Sequence, residues 1–194
     1  MKTFQLAIFA LLALISIDGY SCVEVDMRIG NKRTVLDRLD GTCGGDKNMK
    51  LTFVANSMKA QGKKIVMNAT FHVFEDIVDE TGIKITITRC KVKENPDTCE
   101  HFHSFNTNQY CHLISTKSPL WSPFFDQITP PWRCPIMKGD YVVENAVFDV
   151  SSFLLFPVQG WFWRVTAEQW DLKTKQKIFC LITDTQVTTL GRVQ

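Results

Sequence analysis

Long apolar runs are scarce in this chain of 194 residues. The one present, Leu6 to Ile17, spans 12 residues behind Met1-Lys2-Thr3, whereas a membrane-spanning helix needs about 20. A basic start, a short apolar run and then small residues at Gly19 and Ser21 make a secretory signal instead. Cleavage is expected after Ser21, with Gly19 the alternative. Residues 1–21 are then the signal and 22–194 a single domain, long enough to bury a core. No later run reaches spanning length, which predicts a soluble mature protein.

Charge of one sign is also lacking. The formal net charge is +2, and no Lys/Arg block exceeds a pair such as Lys63-Lys64. That is too little and too dispersed to hold nucleic acid. Missing too are a Gly-x-Ser-x-Gly elbow, a His-Glu-x-x-His pair and a phosphate-cradling glycine loop. The carboxylates fall mainly in turns, such as Glu75-Asp76 and Asp79-Glu80. Nothing pairs a nucleophile with its base, so neither enzyme activity nor a cofactor is expected. No 3.6-residue apolar stripe, internal repeat or low-complexity tract occurs.

Seven cysteines are present: Cys22, Cys43, Cys90, Cys99, Cys111, Cys134 and Cys180. In a secreted chain the default is disulfides, and three pairs leave one thiol free or bonded to another chain. Cys99, His101, His103, Cys111 and His112 crowd together as zinc ligands do. Zinc needs thiolates, however, and an oxidising compartment turns them into disulfides, so no metal is expected. His72 reads as a surface histidine. Asn68-Ala69-Thr70 fits the N-glycosylation pattern.

The periodicity is that of strands. Val23–Ile29 alternates apolar and charged residues and stops at Gly30-Asn31; residues 31–50 are polar and glycine-bearing and read as loop. Leu51–Ala55 is a second strand. From Lys64 to Phe74, Ile65, Met67, Ala69, Phe71 and Val73 share one face. Asn68, Thr70 and His72 share the other, so a glycan on Asn68 would point away from the core. Asp79–Gly82 makes a turn and Ile83–Thr88 returns as a strand, the pair reading as a hairpin. Cys90 and Cys99 bracket a polar loop that a disulfide can close. From Glu100 to Thr129 no clean period appears, apart from a short helix predicted around Phe105–Ile114.

Tyr141–Val150, Trp161–Trp170 and Ile178–Val187 are strands, with a bend at Phe153–Gly160 and a polar hairpin loop at Asp171–Gln176. Trp161, Trp163, Val165 and Ala167 share a face opposite Arg164, Thr166 and Glu168. The class is all-β, with loops concentrated in the middle and around 153–160.

All five tryptophans fall between 121 and 170, interleaved with prolines and glycines. Large rings on constrained loops beside strands are what a mouth for a greasy ligand requires; a β-core with thick loops carries them too. Each buried methylene of a ligand is worth about 0.8 kcal/mol, so ~16 carbons supply roughly 12 kcal/mol before the losses of association.

The run Cys134-Pro135-Ile136-Met137-Lys138-Gly139-Asp140-Tyr141 resembles the Cys-Pro-x-x-x-Gly-x-Tyr segment of the GM2-activator-like lipid-binding proteins. The apolar bend Phe153–Pro157, the strand with Trp163-Arg164-Val165, the polar hairpin and Cys180 follow in the family's order. Upstream, Cys90…Cys99-Glu100-His101-Phe102…Cys111 is similar in spacing. The chain is most similar to the secreted CheA/CheB-type chemosensory proteins of insects, a branch of that family. The resemblance spans residues 43–188 and is densest after residue 80.

It implies a cup of two β-sheets with a hydrophobic cavity reached through aromatic-bearing loops. It implies the disulfides Cys90–Cys99, Cys111–Cys134 and Cys43–Cys180, with Cys43 rather than Cys22 because it just precedes the Leu51 strand. One further family disulfide within the 111–134 region has no counterpart here, which implies a more mobile loop around Trp121 and Phe124-Phe125. Cys22 has no counterpart either.

The expectation is a secreted carrier that binds a lipid or cuticular-hydrocarbon-like ligand in chemosensation, without cofactor or turnover. Lining and lid would come from Trp121, Phe124, Phe125, Trp132, Leu154, Leu155, Phe156, Trp161 and Trp163, although Trp161 and Trp163 would serve equally as core. The expected partners are a hydrophobic small molecule or lipid, and with it a chemosensory receptor or a membrane surface. Two alternatives are an accessory protein that lifts a lipid from a membrane for a hydrolase or receptor, and a β-domain for protein recognition with a filled interior.

Overall fold

The computed structural model describes residues 25–29, 32–45, 48–78, 80–93, 95–118, 121–149 and 158–189. The proposed signal segment and Cys22 lie outside them. Alternating side chains in β1 (Val25–Ile29), β2 (Lys32–Asp40), β10 (Lys177–Thr189), β9 (Trp161–Asp171), β5 (Thr81–Cys90) and β6 (Cys99–Thr107) build a six-stranded sheet in that spatial order. A second sheet runs β3 (Leu51–Gln61), β4 (Lys64–Val73), β8 (Gly139–Asp149) and β7 (Ile128–Thr129). Every pairing is antiparallel. The fold is therefore an all-β, two-sheet sandwich.

Four expectations change. The 31–50 stretch holds strand β2, whose sequence Lys-Arg-Thr-Val-Leu-Asp-Arg-Leu-Asp hides its alternation behind charge. A register shift opposite Asp184 and Thr185 breaks the period further. Strand β6 lies in the stretch without a clear period because it is a sheet edge with nearly every side chain exposed, so no buried face imposes one. The predicted hairpin of Lys64–Phe74 with Ile83–Thr88 does not exist: β4 pairs with β3 and β8, while β5 pairs with β6 and β9 in the other sheet. Alternation marks a half-buried strand but carries no information on which sheet it joins. The connection between them is pinned where Ile77 bridges Ile136, exchanging backbone hydrogen bonds of 2.8 and 3.1 Å. Thr81 and Gly82, read as turn, already belong to β5.

The sheets pack at one end. Leu51, Phe53, Ala69, Phe71, Val73, Tyr141 and Val143 of the four-stranded sheet meet Ile83, Phe179 and Leu181 of the other. Phe71 sits among rings, with Phe53 at 4.9 Å, Trp132 at 4.7 Å and Phe179 at 6.4 Å between centroids. A buried ring of this size contributes roughly 2–3 kcal/mol.

All three implied disulfides form: Cys43–Cys180, Cys90–Cys99 and Cys111–Cys134, with Cα separations of 5.6, 3.9 and 5.7 Å. The first depends on the corner after β2. Gly41 bridges Phe53, and a Cβ there would lie 2.0 Å from the Phe53 carbonyl oxygen, so only glycine allows the approach. Buried Asp40 then turns the chain toward Cys43: its carboxylate accepts from the Thr42 N–H and hydroxyl, each 2.8 Å, and the Gly44 N–H, 2.9 Å, and pairs with Arg38. Burial opposes the charge, but Arg38 and these donors outweigh it and hold the pKa down to about 2.

Because that value lies below the ~3.9 of an unfolded aspartate, the stabilisation is complete above about pH 4 and is lost as pH falls toward 2. The expected outcome for Asp40→Asn is a loss of roughly 2 kcal/mol at pH 7 by urea unfolding. The gap to wild type should close between pH 4 and 2, and a gap that stays constant would refute the assignment.

Candidate functional site

The aromatic residues separate into two groups. The first lies on the segment that leaves β6 and crosses to β8. It carries helix α1 (Tyr110–Ser115), within the stretch where a helix was expected, and the single turn α2 (Ser122–Phe125) with Pro123 in its first turn. Cys111–Cys134 ties the two ends of this segment. Trp132 is buried, its ring 4.7 Å from Phe71, 5.0 Å from Tyr141 and 6.4 Å from Phe125, and its Nε1–H donates to the Tyr110 hydroxyl at 3.0 Å. Burial pushes the Tyr110 phenol well above its ordinary pKa, the Trp132 bond acting weakly against this, so the group stays neutral. Trp132 is therefore a wall of the core and not a lid.

Phe124 reaches in from α2, 5.1 Å from Phe148 and 6.1 Å from Phe71, and Phe125 stands beside it at 5.5 Å. Both are half-buried. Both pack against the edge of the core cluster, with α2 lying along β8. Trp121 stays near the surface, its Nε1–H donating to the Thr116 carbonyl at 3.0 Å. Local bonds brace this loop: Lys117 on Asp126 at 2.7 Å, the Ser118 N–H on the Ser122 hydroxyl at 2.8 Å, and Gln127 on the Pro123 carbonyl at 2.8 Å.

The second group belongs to the other sheet. The register puts Trp161, Trp163, Val165 and Ala167 on one face of β9 together with Phe179 and Leu181 of β10 and Ile83 of β5, hence toward the core. The shared face expected for the four β9 residues is thus present. Yet Ile85, Ile87, Val165, Trp161 and Trp163 are only half-buried and stand outside the packed cluster. Trp163 donates to the Val158 carbonyl at 2.8 Å and meets Phe102 edge-on at 5.0 Å; Trp161 lies 4.4 Å under the Arg89 guanidinium. Val25, Leu36 and Val187, all buried, fill the β1–β2 flank.

Of the nine proposed lining residues, Trp132 is buried in the core cluster, Phe124 and Phe125 pack half-buried against it, and Trp161, Trp163 and Trp121 are half-buried outside it. Leu154, Leu155 and Phe156 lie outside the described residues. Arg89 and Phe102 were missed. Arg89 continues the Ile83, Ile85, Ile87 alternation by one step, a signal legible in the sequence, whereas Phe102 sits in the register shift of β6 and had none.

Cys99 and Cys111 are spent in disulfides, so the crowded Cys/His stretch offers no thiolate. Among the described residues no group of three His, Cys, Asp or Glu side chains could hold a metal, and no helix is long and apolar enough to cross a membrane. The three disulfides fit an oxidising compartment. Comparison with known proteins returns no match, either to a family model or to a curated protein.

Trp132→Phe and Tyr110→Phe should each destabilise by about 1–3 kcal/mol, since each strands a buried polar partner. The double variant should lose less than the sum of the two, as measured by urea unfolding. Strict additivity would mean that the bond carries no energy.

Proposed function

We propose that the protein is a secreted, non-enzymatic carrier that holds a lipid or other long apolar ligand between its two sheets. The observation that supports this reading is the run of half-buried apolar side chains that the core cluster leaves out, Ile85, Ile87, Val165, Trp161 and Trp163 on one inner face, while Phe124 and Phe148 of the other sheet's side stay half-buried at the cluster's edge. A sandwich stabilised only by its own core would close over such groups, because apolar area left half-wet forgoes about 25 cal/mol per Å². A hydrocarbon chain would cover it without demanding any buried polar partner. The order of cysteines and the Cys-Pro-x-x-x-Gly-x-Tyr run favour a GM2-activator-like carrier of the CheA/CheB type. In that reading the cargo is a chemosensory signal delivered to a receptor or membrane surface.

In the same reading Asn68 carries a glycan. It is half-buried on the outer face of its sheet, its Nδ2 donating to the Ser57 hydroxyl at 2.9 Å and its Oδ1 accepting the Asn145 N–H at 2.6 Å. One Nδ2 hydrogen remains for Ser57 after glycosylation. The side chain thus also ties β3 and β8 across register shifts in both.

Native mass spectrometry of protein from a secreting eukaryotic cell tests the reading. Hydrophobic adducts should co-purify, a bound fluorescent fatty-acid probe should be displaced by lipid, and Trp163→Ala should weaken probe binding about tenfold. A delipidated protein that takes up no probe, and from which no lipid ever dissociates, would end the proposal. Amidase removal of an N-glycan should lower the mass of wild type but not of Asn68→Gln. The latter should also be less stable, by about 1–2 kcal/mol, than wild type trimmed to a single sugar by an endoglycosidase, which leaves the Asn68 amide intact.

A further inference from the structure

The inner face of the six-stranded sheet ends in a cation. Strand β5 presents Ile83, Ile85, Ile87 and Arg89 in turn on that face, and β9 sets Gln169, Ala167, Val165 and Trp163 directly opposite them. The track from Ile83 to Arg89 covers six residue steps, about 20 Å, the reach of an extended long acyl chain. It begins at the packed cluster, which includes Ile83, and runs outward to the charged group.

Arg89 is held by rings and only loosely by charge. Its guanidinium lies 4.4 Å from the Trp161 ring centre and 5.3 Å from that of Phe102, which fixes its plane. Its Nε donates to Glu100 Oε1 at 2.6 Å, and Nη2 lies 2.5 Å from the same oxygen. The two-oxygen, two-nitrogen grip that a guanidinium offers a carboxylate is therefore not made. Among the described residues no other acceptor meets the remaining N–H groups. The side chains of Arg89 and Glu100 are 32% and 52% exposed, and a pair this wet is weak and easily exchanged. No other acidic side chain of β5, β6 or β9 shares this end of the inner face, the neighbours there being His103, Trp163 and Trp161.

We propose that the ligand is a single-chain anionic amphiphile, a long-chain carboxylate. Its tail would lie along Ile83, Ile85, Ile87, Val165 and Ala167, and its head group on Arg89 in exchange for Glu100. This rests on the carrier reading and narrows it, since a neutral hydrocarbon would have no use for a ring-mounted guanidinium at the end of the track. A cationic amphiphile is rejected by the same group.

The test uses the full secreted chain, delipidated and loaded with the neutral dye N-phenyl-1-naphthylamine, displaced in parallel by hexadecanoate, 1-hexadecanol and hexadecylamine. Hexadecanoate should displace the dye at roughly tenfold lower concentration than the alcohol, with the amine weakest, and high salt should shrink that ratio. In Arg89→Gln the acid-to-alcohol ratio should fall to about one, and in Glu100→Gln it should rise several-fold. The ratio within each variant is the readout, so a general loss of affinity does not imitate the effect. Acid and alcohol competing equally in wild type, or a ratio unchanged in Arg89→Gln, would overturn the head-group assignment and leave the carrier standing. A dye that does not bind at all would overturn both.

Discussion

The structure depends on the packing of two apolar sheet faces, a cluster that takes in Ile83 and Leu181 of the six-stranded sheet but not the next inner-face residues of β5 and β9. Around Phe71 the faces lock together, with Phe53, Trp132 and Phe179 closing on a single ring. Beyond Ile83 and Leu181, apolar side chains continue along β5 and β9 but stay half-buried. Interiors pack to crystal-like density wherever they can. Side chains left outside that packing forgo part of the stabilisation that burial gives.

What keeps the packed end shut and the flanks in place is mostly covalent and polar. The Cys43–Cys180 bond sews the corner after β2 onto β10, and Asp40 organises the turn that delivers Cys43. The Cys111–Cys134 bond fastens the segment that lays α2 along the β8 flank. On the outer face Arg164 grips Asp184 with two nitrogens on two oxygens, at 2.7 and 2.9 Å, and that hydrogen bond raises the Arg164 pKa.

The aromatic residues accordingly divide their labour. Trp132 belongs to the core and spends its N–H on Tyr110, as a buried indole must. Trp161 and Trp163 stand where the sheet runs past the core, with Phe102 and Arg89 against them. The core-filling reading of this cluster thus holds for Trp132, while Trp161 and Trp163 stay half-buried outside the core cluster.

Much was legible in the sequence alone because it reports local constraints. Alternation at Lys64–Phe74 and Ile83–Thr88 revealed strands and their buried faces, since one apolar side chain in two is what a half-covered strand needs. The cysteine order matched a known pattern, and the disulfides follow it. Strands β2 and β6 escaped notice because a charged surface strand and an exposed edge leave no periodic trace. Sheet membership, and with it the fate of the supposed hairpin, is a long-range choice that no window of neighbouring residues encodes. Nor could composition separate Trp132 from Trp163. Only packing, which places one ring against Phe71 and leaves the other beside Phe102 at the end of the sheet, decides which fills the core and which stays half-buried outside it.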